Sequence, residues 1–315
     1  MNESPTISLV IVTYLREAIV CETLRALEPQ AGLFDEILVV DNGNSPKLSE
    51  FARTYGPGNL RVLPQTSNDG AVGRTHGILA ASGDIVLTLD DDVRLRDPSE
   101  LVDLRRFFQA GARIGCVNFR ILYESDLSLD LSDWCHPRDP ARFADRLFET
   151  SYISEGACAL NGAMIRQIGA YPLDLFIGQE GVELAARILD AGYDIYYLPS
   201  VSVTHSVANE GRTSGRQFFF NARNIYWIAL RTYPLGLAVR TVFREWGTLA
   251  LFSLIRGRLP HFARGCYEGL RRTATLWASR RPIGSATARH IAGLNSFKPT
   301  VWTRVKRLLR SKTLE

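Results

Sequence analysis

Short apolar runs alternate with helix-like segments over roughly the first 120 residues, and this alternation limits the possible folds more than any other feature. The apolar runs are ISLVIVT, DEILVVD, LRVLP, DIVLTLD and IGCV. Strands that are apolar on both faces are typical of parallel sheets covered by helices on both sides. The segments between them, such as REAIVCETLRAL and KLSEFARTY, have the spacing of amphipathic helices. The sequence therefore predicts an α/β layered domain with a parallel sheet.

The pattern changes twice further along the chain. Between about residues 119 and 157 it is irregular, and its aromatic and charged residues predict a binding loop rather than a framework element. Next, EGVELAARILDAGY predicts an amphipathic helix that is closed by Gly192, and DIYYLP predicts another strand. From about residue 216 the chain becomes helical, aromatic and basic.

Charge divides the chain in a similar place. Residues 220–315 hold 18 Lys and Arg but only 3 Asp and Glu, a net charge of +15, whereas the preceding residues carry −11. We therefore expect an α/β domain over residues 1–215 and a basic, mainly helical C-terminal region over residues 216–315.

The basic region predicts an interaction with a membrane surface. Within residues 301–310 apolar side chains share one helical face and basic side chains take the others, a pattern typical of helices that lie on anionic lipid. A helix that packs on its own domain with a solvated basic face would have the same pattern. The total charge favours the membrane surface, and the lack of a recognisable nucleic-acid-binding module excludes nucleic acid as the expected partner.

Apolar length and cysteine content bear on the compartment. The longest uncharged apolar piece of the basic region, WGTLALFSLI, is about half of the roughly 20 residues that a membrane-spanning helix needs. The N-terminal run ISLVIV is too short for a signal peptide, and the five scattered cysteines have neither paired nor zinc-like spacing. We predict a cytoplasmic protein that is peripheral on the cytoplasmic face of the inner membrane.

Three adjacent acids, Asp90, Asp91 and Asp92, follow directly on the apolar run IVLTL. Two unit charges about 5 Å apart repel by about 3 kcal/mol at an effective dielectric constant of 20, so the cluster needs a compensating cation. Ligands of open α/β sheets bind at the carboxyl ends of strands, and carboxylates there suit Mg²⁺ or Mn²⁺ together with substrate phosphates. The cluster predicts a divalent cation site, although a solvated turn or a helix start would also accommodate it.

Further motifs occur in a fixed order around this cluster. They are SLVIVTYLRE, EILVVDNGN, SNDGAVGRTHGILAASGDIVLTLDDDV, NGAMIRQIGAYP, EGVELAARILDAGYDIYYLPSVSVTH and FFFNARN. Over about residues 7–233 the set resembles the family 2 glycosyltransferases, especially the bacterial rhamnosyltransferase-like members that build surface polysaccharides. The resemblance implies a GT-A fold, which is a Rossmann-like mixed sheet with helices on both faces, followed by a C-terminal helical segment.

The same resemblance implies an activity. It predicts an inverting, metal-dependent hexosyltransferase that moves a sugar from a nucleotide diphosphate sugar to a hydroxyl of a glycan or lipid-linked acceptor, with Mn²⁺ or Mg²⁺ as cofactor. The donor sugar, the nucleotide base and the acceptor are not fixed by the sequence. Residues 126–142 and the segment around Asn161 are expected to face the acceptor.

The resemblance also implies roles for individual residues. Those expected at the nucleotide sugar are Thr13, Tyr14, Asp41, Asn68, Gly70, Arg74, Asp90 and Asp91. Asp92 is expected to bind the metal, with Asp90 and His205 completing its site. For Asp41 the capping of a turn remains an alternative, and for His205 a structural role. Thr75 stands where the family usually has asparagine.

At the catalytic base the sequence departs from the family pattern. The family places an aspartate second in a Glu-Asp pair at the start of the catalytic helix, and this chain has Glu180 followed by Gly181. The residues that follow keep the family's register. We predict Glu180 as the base, because the missing side chain at Gly181 leaves space for its carboxylate, and Glu183 as the second candidate.

Two other functions remain open. The glycine at position 181 is compatible with a catalytically silent relative that acts in a membrane-bound assembly, although the retained acids at 90–92 oppose this. A nucleotidyltransferase would share the sheet and the metal, but TYLRE after the first strand is not a glycine-rich phosphate loop.

Overall fold

The structure is a computed structural model in which residues 4–206 and 214–297 are described. The chain divides into two compact units. Unit 1 consists of Met1–Cys135, Ala144–Phe176 and Glu180–Asn209, and unit 2 consists of His136–Phe143, Ile177–Gln179 and Glu210–Glu315.

Unit 1 is built on one mixed β-sheet. Its strands are β1 (Ile7–Thr13), β2 (Glu36–Asp41), β3 (Leu60–Pro64), β4 (Ile85–Asp90), β5 (Val93–Leu95), β6 (Ile114–Tyr123), β7 (Phe148–Glu149), β8 (Ala157–Asn161) and β9 (Asp194–His205). In the described part of unit 1 the strand order is β3-β2-β1-β4-β8-β6-β9-β5, and β7 pairs with β9. The first four strands are mutually parallel, whereas β8 is antiparallel to both β4 and β6. The predicted α/β fold with a mixed sheet is confirmed.

Helices connect the strands of unit 1 and make up most of unit 2. In chain order they are α1 (Glu17–Leu27), α2 (Pro46–Tyr55), α3 (Arg74–Ala80), α4 (Glu100–Ala110), α5 (Pro140–Phe143), α6 (Gly162–Ile168), α7 (Glu180–Asp190), α8 (Ser214–Thr232), α9 (Leu235–Ile255), α10 (Leu259–Arg271), α11 (Thr273–Ala278) and α12 (Ser285–Leu294). The two amphipathic segments quoted first above correspond to α1 and α2, as their periodicity predicts.

The core of unit 1 lies along the parallel strands. Leu9 of β1, Ile37 of β2 and Leu87 of β4 are all completely buried, together with Val20 of α1 and Leu48 of α2. Each large apolar side chain buried in this way contributes about 1.5–3 kcal/mol. Core packing along the strands therefore stabilises the sheet, and residues at the strand ends can bind ligands without disrupting that core.

Strand β6 extends beyond the apolar run IGCV from which it is predicted. The run ends in the sequence at the polar residue Asn118, but the strand continues. Asn118 is completely buried, and its side-chain amide donates to the carbonyl oxygens of Tyr152 and Tyr196 at 3.0 and 3.1 Å. Its Oδ1 accepts the backbone N–H of Ser154 at 2.7 Å. Fully satisfied hydrogen bonds remove the cost of burying this amide, so the strand continues past it.

Unit 2 is held by aromatic residues of α8. Trp227 is buried, and its indole N–H donates to the carbonyl of Gly269 on α10 at 3.3 Å. Gly265 lets the two helices approach closely, since a Cβ there would lie 2.3 Å from the carbonyl oxygen of Phe219. None of the helices in the described residues has both the length and the apolar character to cross a bilayer. The helix predicted within residues 301–310 lies outside the described residues.

Candidate active site

The carboxyl ends of β1 and β4 lie side by side, because the two strands pair in parallel with Val12 opposite Asp90. This pairing brings Thr13, the last residue of β1, next to the acids that follow β4. The Thr13 hydroxyl donates to Asp91 Oδ2 at 2.8 Å. The strand pairing therefore places Thr13 beside the acid cluster at one edge of the sheet.

Arg16 lies across two of the three acids. Its guanidinium Nη1 is 2.5 Å from Asp91 Oδ1, and its Nη2 is 2.9 Å from Asp92 Oδ2. Burial raises the pKa of Asp91 to about 6, although the bonds from Thr13 and Arg16 act in the opposite direction. Arg16, which the sequence analysis did not select, therefore supplies part of the positive charge that was assigned to a metal.

Arg74 compensates the third acid. It is buried at the start of α3, and its Nη2 donates to Asp90 Oδ1 at 2.7 Å while its Nε donates to the carbonyl of Ala71 at 3.0 Å. The Asp90 side chain remains 43% exposed. Asp90 is thus held in place by a buried cation and still faces solvent.

His205, the last residue of β9, meets Asp92 on the side away from Arg16. Its Nε2 is 3.8 Å from Asp92 Oδ1, and its Nδ1 is 2.9 Å from Asp130 Oδ2 and 3.2 Å from Asp133 Oδ2. Hydrogen bonds to Asp130 and Asp133 raise the pKa of His205 to about 10. When Nδ1 carries the proton toward Asp130, a neutral His205 presents its Nε2 lone pair to a cation beside Asp92.

These side chains are chemically suited to a divalent cation. Asp92 offers a buried carboxylate to a cation on the Nε2 side of His205, where Asp130 would orient the ring from Nδ1. Asp130, Asp133 and His205 also place one potential ligand atom each within 4.8 Å of one another, which is a second candidate arrangement. Mn²⁺ binds both carboxylate oxygens and imidazole nitrogens, and Mg²⁺ binds carboxylate oxygens. Asp130 and Asp133 were not selected from the sequence, although they lie in the segment that it predicts to be a binding loop.

The predicted nucleotide residues on β2 and β1 differ in exposure. Asp41 is buried, and its two carboxylate oxygens accept the backbone N–H groups of Gly43 at 2.9 Å and Ser45 at 2.6 Å. This is the turn-capping arrangement that the sequence left open. Tyr14 is 45% exposed and free to contact a ligand.

The Asn68 segment forms a tight turn beside α3. Asn68 Oδ1 accepts the N–H of Gly70 at 2.9 Å, and Asn42 donates to the Gly70 carbonyl at 2.8 Å. Gly70 has φ +67°, and a Cβ there would lie 2.4 Å from the carbonyl oxygen of Phe176, so glycine is required. Thr75, which replaces the family's asparagine, donates to the carbonyl of Tyr171 at 3.0 Å.

The two predicted base candidates are both buried, but Glu183 is fully engaged. Glu183 Oε1 and Oε2 accept from Nε and Nη2 of Arg187 at 2.8 and 2.9 Å. Arg187 donates further to the carbonyls of Ile168, Gly169 and Ala170, so the pair fixes the loop before α7. This engagement favours a structural role for Glu183.

A third glutamate occupies the space beside Gly181. Glu155 Oε1 accepts the Gly181 N–H at 2.5 Å, and a Cβ on Gly181 would lie 2.3 Å from that oxygen. The space that the sequence analysis reserved for the Glu180 carboxylate is thus taken by Glu155. Burial and the nearby charge of Glu180 raise the pKa of Glu155 to about 8, with Arg74 opposing the shift.

A cavity of about 200 Å³ opens next to these groups. It is lined by Asp90, Val93, Ile121, Ser132, Asp133, Cys135, Ile153, Ser154, Glu155, Gly156 and Ala157, all of unit 1. Two of its acids are paired with basic side chains, Asp90 with Arg74 and Asp133 with His205. The cavity therefore adjoins the predicted metal ligands on one side and Glu155 on the other.

Comparison with known proteins identifies the family. The profile of the family described as Glycosyl transferase family 2 matches residues 8–169, about half of the chain. The chain belongs to glycosyltransferase family 2. The matched residues include both arginines and all three acids of the cluster, so the family resemblance inferred from the motifs is confirmed.

Relatives of this family 2 glycosyltransferase include enzymes of different sugar specificity. Galactofuranosyltransferase GlfT1 of Mycolicibacterium smegmatis is 27% identical over 221 residues, 61% of this chain and 68% of the relative. The O-antigen chain rhamnosyltransferase RfbN of Salmonella typhimurium is 21% identical over 224 residues, 68% of this chain and 70% of the relative. An uncharacterised protein of Haemophilus influenzae is 31% identical over 121 residues, 36% of this chain and 65% of the relative.

Solved structures show the same fold. GalNAc-T7, crystallised with UDP, GalNAc and Mn²⁺, is similar with a TM-score of 0.60 at 16% identity, over 87% of this chain and 58% of that one. Our family 2 glycosyltransferase therefore spans less than two thirds of the GalNAc-T7 chain. At this identity the likeness establishes the GT-A fold alone.

Proposed function

We propose that the protein is an inverting, metal-dependent hexosyltransferase that moves a sugar from a nucleotide diphosphate sugar to a hydroxyl of a glycan or lipid-linked acceptor. The observation that carries this proposal is the convergence of Asp92 and His205 at the end of β4, beside a cavity that Asp90 lines. The naming of RfbN as an O-antigen chain rhamnosyltransferase supports a role in cell-surface polysaccharide synthesis.

The cofactor of this proposal is Mn²⁺ or Mg²⁺, which Asp92, His205 and Asp90 would hold. Mn²⁺ in the GalNAc-T7 structure supports the assignment. When bound, a divalent cation neutralises the negative charge that develops on a departing diphosphate. Asp130 orients the His205 ring from the other nitrogen, at 2.9 Å.

The donor side of the site would be formed by the residues at the ends of the parallel strands. Tyr14 is exposed enough to contact a nucleotide, whereas Thr13 and Asp41 position the loops that carry it. The turn of Asn68 and Gly70 would bring backbone close to the diphosphate of the donor, and Arg74 fixes Asp90. Direct displacement at the anomeric carbon also needs a base that takes the proton of the attacking hydroxyl.

The basic region over residues 216–315 is proposed to dock on the cytoplasmic face of the inner membrane. Unit 2 exposes several large apolar side chains, including Phe243 at 76% and Trp277 at 54%. Such residues together with many arginines are typical of surfaces that bind anionic lipid. Failure of the protein to co-sediment with phosphatidylglycerol vesicles at low salt would contradict this localisation.

The activity is tested on the purified chain with a panel of UDP-, GDP- and dTDP-sugars. We expect one donor, in the presence of Mn²⁺, to raise the melting temperature and to release nucleoside diphosphate slowly into water. A ligand at 100 times its Kd stabilises the native state by about 2.7 kcal/mol, a shift of several degrees. The proposal fails if no donor gives either signal with Mn²⁺, and EDTA must abolish the release.

A further prediction concerns Gly156, which lies against the carboxylate of Asp90. A Cβ at this position would lie 2.2 Å from Asp90 Oδ2 and 2.4 Å from its Cγ. Gly156→Ala is therefore expected to displace Asp90 and to weaken Mn²⁺-dependent binding of the nucleoside diphosphate about 10-fold, equal to about 1.4 kcal/mol. Calorimetric titration measures the affinity.

Gly58→Ala is the matched control for Gly156→Ala. No atom lies within 4 Å of a Cβ at Gly58, so this substitution adds a methyl group to the same unit without a clash. It should leave the affinity within twofold of the wild type. Equal affinities of the two variants would show that Asp90 does not need its observed position.

A further inference from the structure

The start of α7 is contacted by a carboxylate from another part of unit 1. Glu155 belongs to the loop before β8 and reaches the second residue of the helix, where its Oε1 accepts the Gly181 N–H at 2.5 Å. A Cβ on Gly181 would lie 2.3 Å from Oε1 and 2.8 Å from the Glu155 Cδ. A glutamate at 155 and a side chain at 181 therefore compete for one position, and this chain fills it from the loop.

Glu155 also differs from the other acids that line the cavity. Asp90 is paired with Arg74 at 2.7 Å, and Asp133 lies 3.2 Å from the Nδ1 of His205. Among residues 4–206 and 214–297, Glu155 takes part in no ion pair, and its side chain accepts the backbone N–H groups of Gly181 and of Glu155 itself. Of the three acids that line this cavity, Glu155 is therefore the one that no basic side chain holds in an ion pair.

The electrostatic surroundings suit a group that exchanges protons near neutrality. Burial is the main reason that the pKa of Glu155 rises to about 8, and the charge of Glu180 adds to the effect. A general base is most effective when its pKa lies near the working pH. Glu180 and Glu155 thus interact, but only Glu155 lines the cavity.

We propose that Glu155, rather than Glu180, is the general base of the glycosyl transfer; this inference rests on the function proposed above. The Glu155 carboxylate takes the proton of the attacking hydroxyl while the hydroxyl oxygen forms its bond to the anomeric carbon of the donor sugar. The bond between that carbon and the diphosphate oxygen breaks, and its electron pair leaves with the nucleoside diphosphate. Glu155 then returns the proton to solvent.

A structural role for Glu155 is the competing explanation, since its hydrogen bond caps the start of α7. Glu155→Gln separates the two roles. The glutamine side chain keeps the size of glutamate and an oxygen that accepts the Gly181 N–H, so the cap survives. It cannot accept a proton at neutral pH, so the base is lost.

The experiment compares the wild type with Glu155→Gln, Glu180→Gln and Glu124→Gln. The probe is Mn²⁺-dependent release of nucleoside diphosphate from UDP-, GDP- and dTDP-sugars, with water or an octyl glycoside as acceptor. We expect Glu155→Gln to lose about 100-fold in kcat, as is typical for removal of a general base, with the Kd of the nucleoside diphosphate unchanged within twofold. Glu180→Gln should lose less than 10-fold. Glu124, which pairs with Arg94 at 2.9 Å on the surface, controls for the change of charge.

The pH profile distinguishes a base from a cap. The wild-type kcat should rise about tenfold per pH unit below about pH 8 and then level off, because only the ionised carboxyl accepts the proton. Glu155→Gln should lose this rise, whereas Glu180→Gln should move it to lower pH by removing a like charge.

Two results would overturn the assignment. One is an active wild type whose Glu155→Gln variant keeps kcat within threefold together with the same pH-dependent rise. The other is a larger loss of kcat in Glu180→Gln than in Glu155→Gln. If the wild type itself releases nucleoside diphosphate from no donor, the proposed function fails and this inference fails with it.

Discussion

Replacement of Asp92 by asparagine is expected to lower kcat/KM at saturating Mn²⁺ by about 10³-fold, equal to about 4 kcal/mol of transition-state stabilisation. Asparagine keeps the size of the side chain and one oxygen, but it removes the negative charge next to His205 Nε2, 3.8 Å away. The ion pair with Arg16 is lost as well, and the partly exposed guanidinium keeps Asp91 as its partner. Nucleoside diphosphate release measured against Mn²⁺ concentration reports both the rate and the metal requirement.

Asp97→Asn is the control for this prediction. Asp97 lies shortly after β5, and its carboxylate accepts from the backbone and side chain of Ser99 in an exposed turn. The same loss of one charge at this position should leave kcat/KM within twofold. If Asp92→Asn lost less than tenfold and kept the wild-type response to Mn²⁺, the metal would have to be bound elsewhere.

The parallel half of the sheet could be predicted from the sequence, whereas its antiparallel part could not. Strands β1, β2 and β4 are largely apolar and almost wholly buried, and amphipathic helices follow β1 and β2, so their type follows from local pattern alone. Strand β8 is five residues long and follows an irregular loop, and its place between β4 and β6 depends on pairing with distant residues. A polar residue such as Asn118 hides the extent of β6 in the sequence, because its burial depends on hydrogen bonds to Tyr152 and Tyr196 that the sequence does not reveal.

The site shows the same division between local motif and long-range contact. The acids at 90–92 and His205 stand out in the sequence because they directly follow strands. Arg16 meets Asp91 across 75 residues, and Glu155 meets Gly181 across 26, so neither contact has a sequence signal of its own. Knowledge that β1 and β4 are neighbours would have placed Arg16 near the acids, since both segments leave the same edge of the sheet.

The charge of three adjacent acids does not by itself require a divalent cation in this protein. Arg16 compensates Asp91 and Asp92, and Arg74 compensates Asp90, so the repulsion within the cluster is already reduced by protein charges. The case for a metal therefore depends on the pairing of Asp92 with an imidazole nitrogen rather than on the number of acids. The two arginines are therefore expected to stabilise the folded state by compensating these acids.

Arg74→Met is expected to lower the free energy of unfolding by about 3 kcal/mol at pH 8 and to abolish measurable transfer. Removing one partner of a buried ion pair costs about 3–5 kcal/mol, and the partial exposure of Asp90 places this case at the lower end. Methionine fills a similar volume, so the cost comes from the carboxylates of Asp90, Glu155 and Glu180 that Arg74 attracts. Urea unfolding followed by circular dichroism measures the change, with an unaltered m-value as the test of an intact native state.

The pH dependence identifies the electrostatic origin of the loss. Without Arg74 the pKa of Glu155 in the folded state rises further above its value in the unfolded state. At pH values between these two pKa values the native state binds more protons than the unfolded state. The free energy of unfolding therefore falls as the pH rises through this range. The loss of stability in Arg74→Met is expected to be larger at pH 8 than at pH 5. Arg105→Met is the control, because Arg105 donates to the carbonyls of Pro5 and Leu33 and forms no ion pair with any of the described residues. An Arg74→Met deficit that matched the Arg105→Met deficit at both pH values would mean that Arg74 stabilises the fold through packing and not through charge.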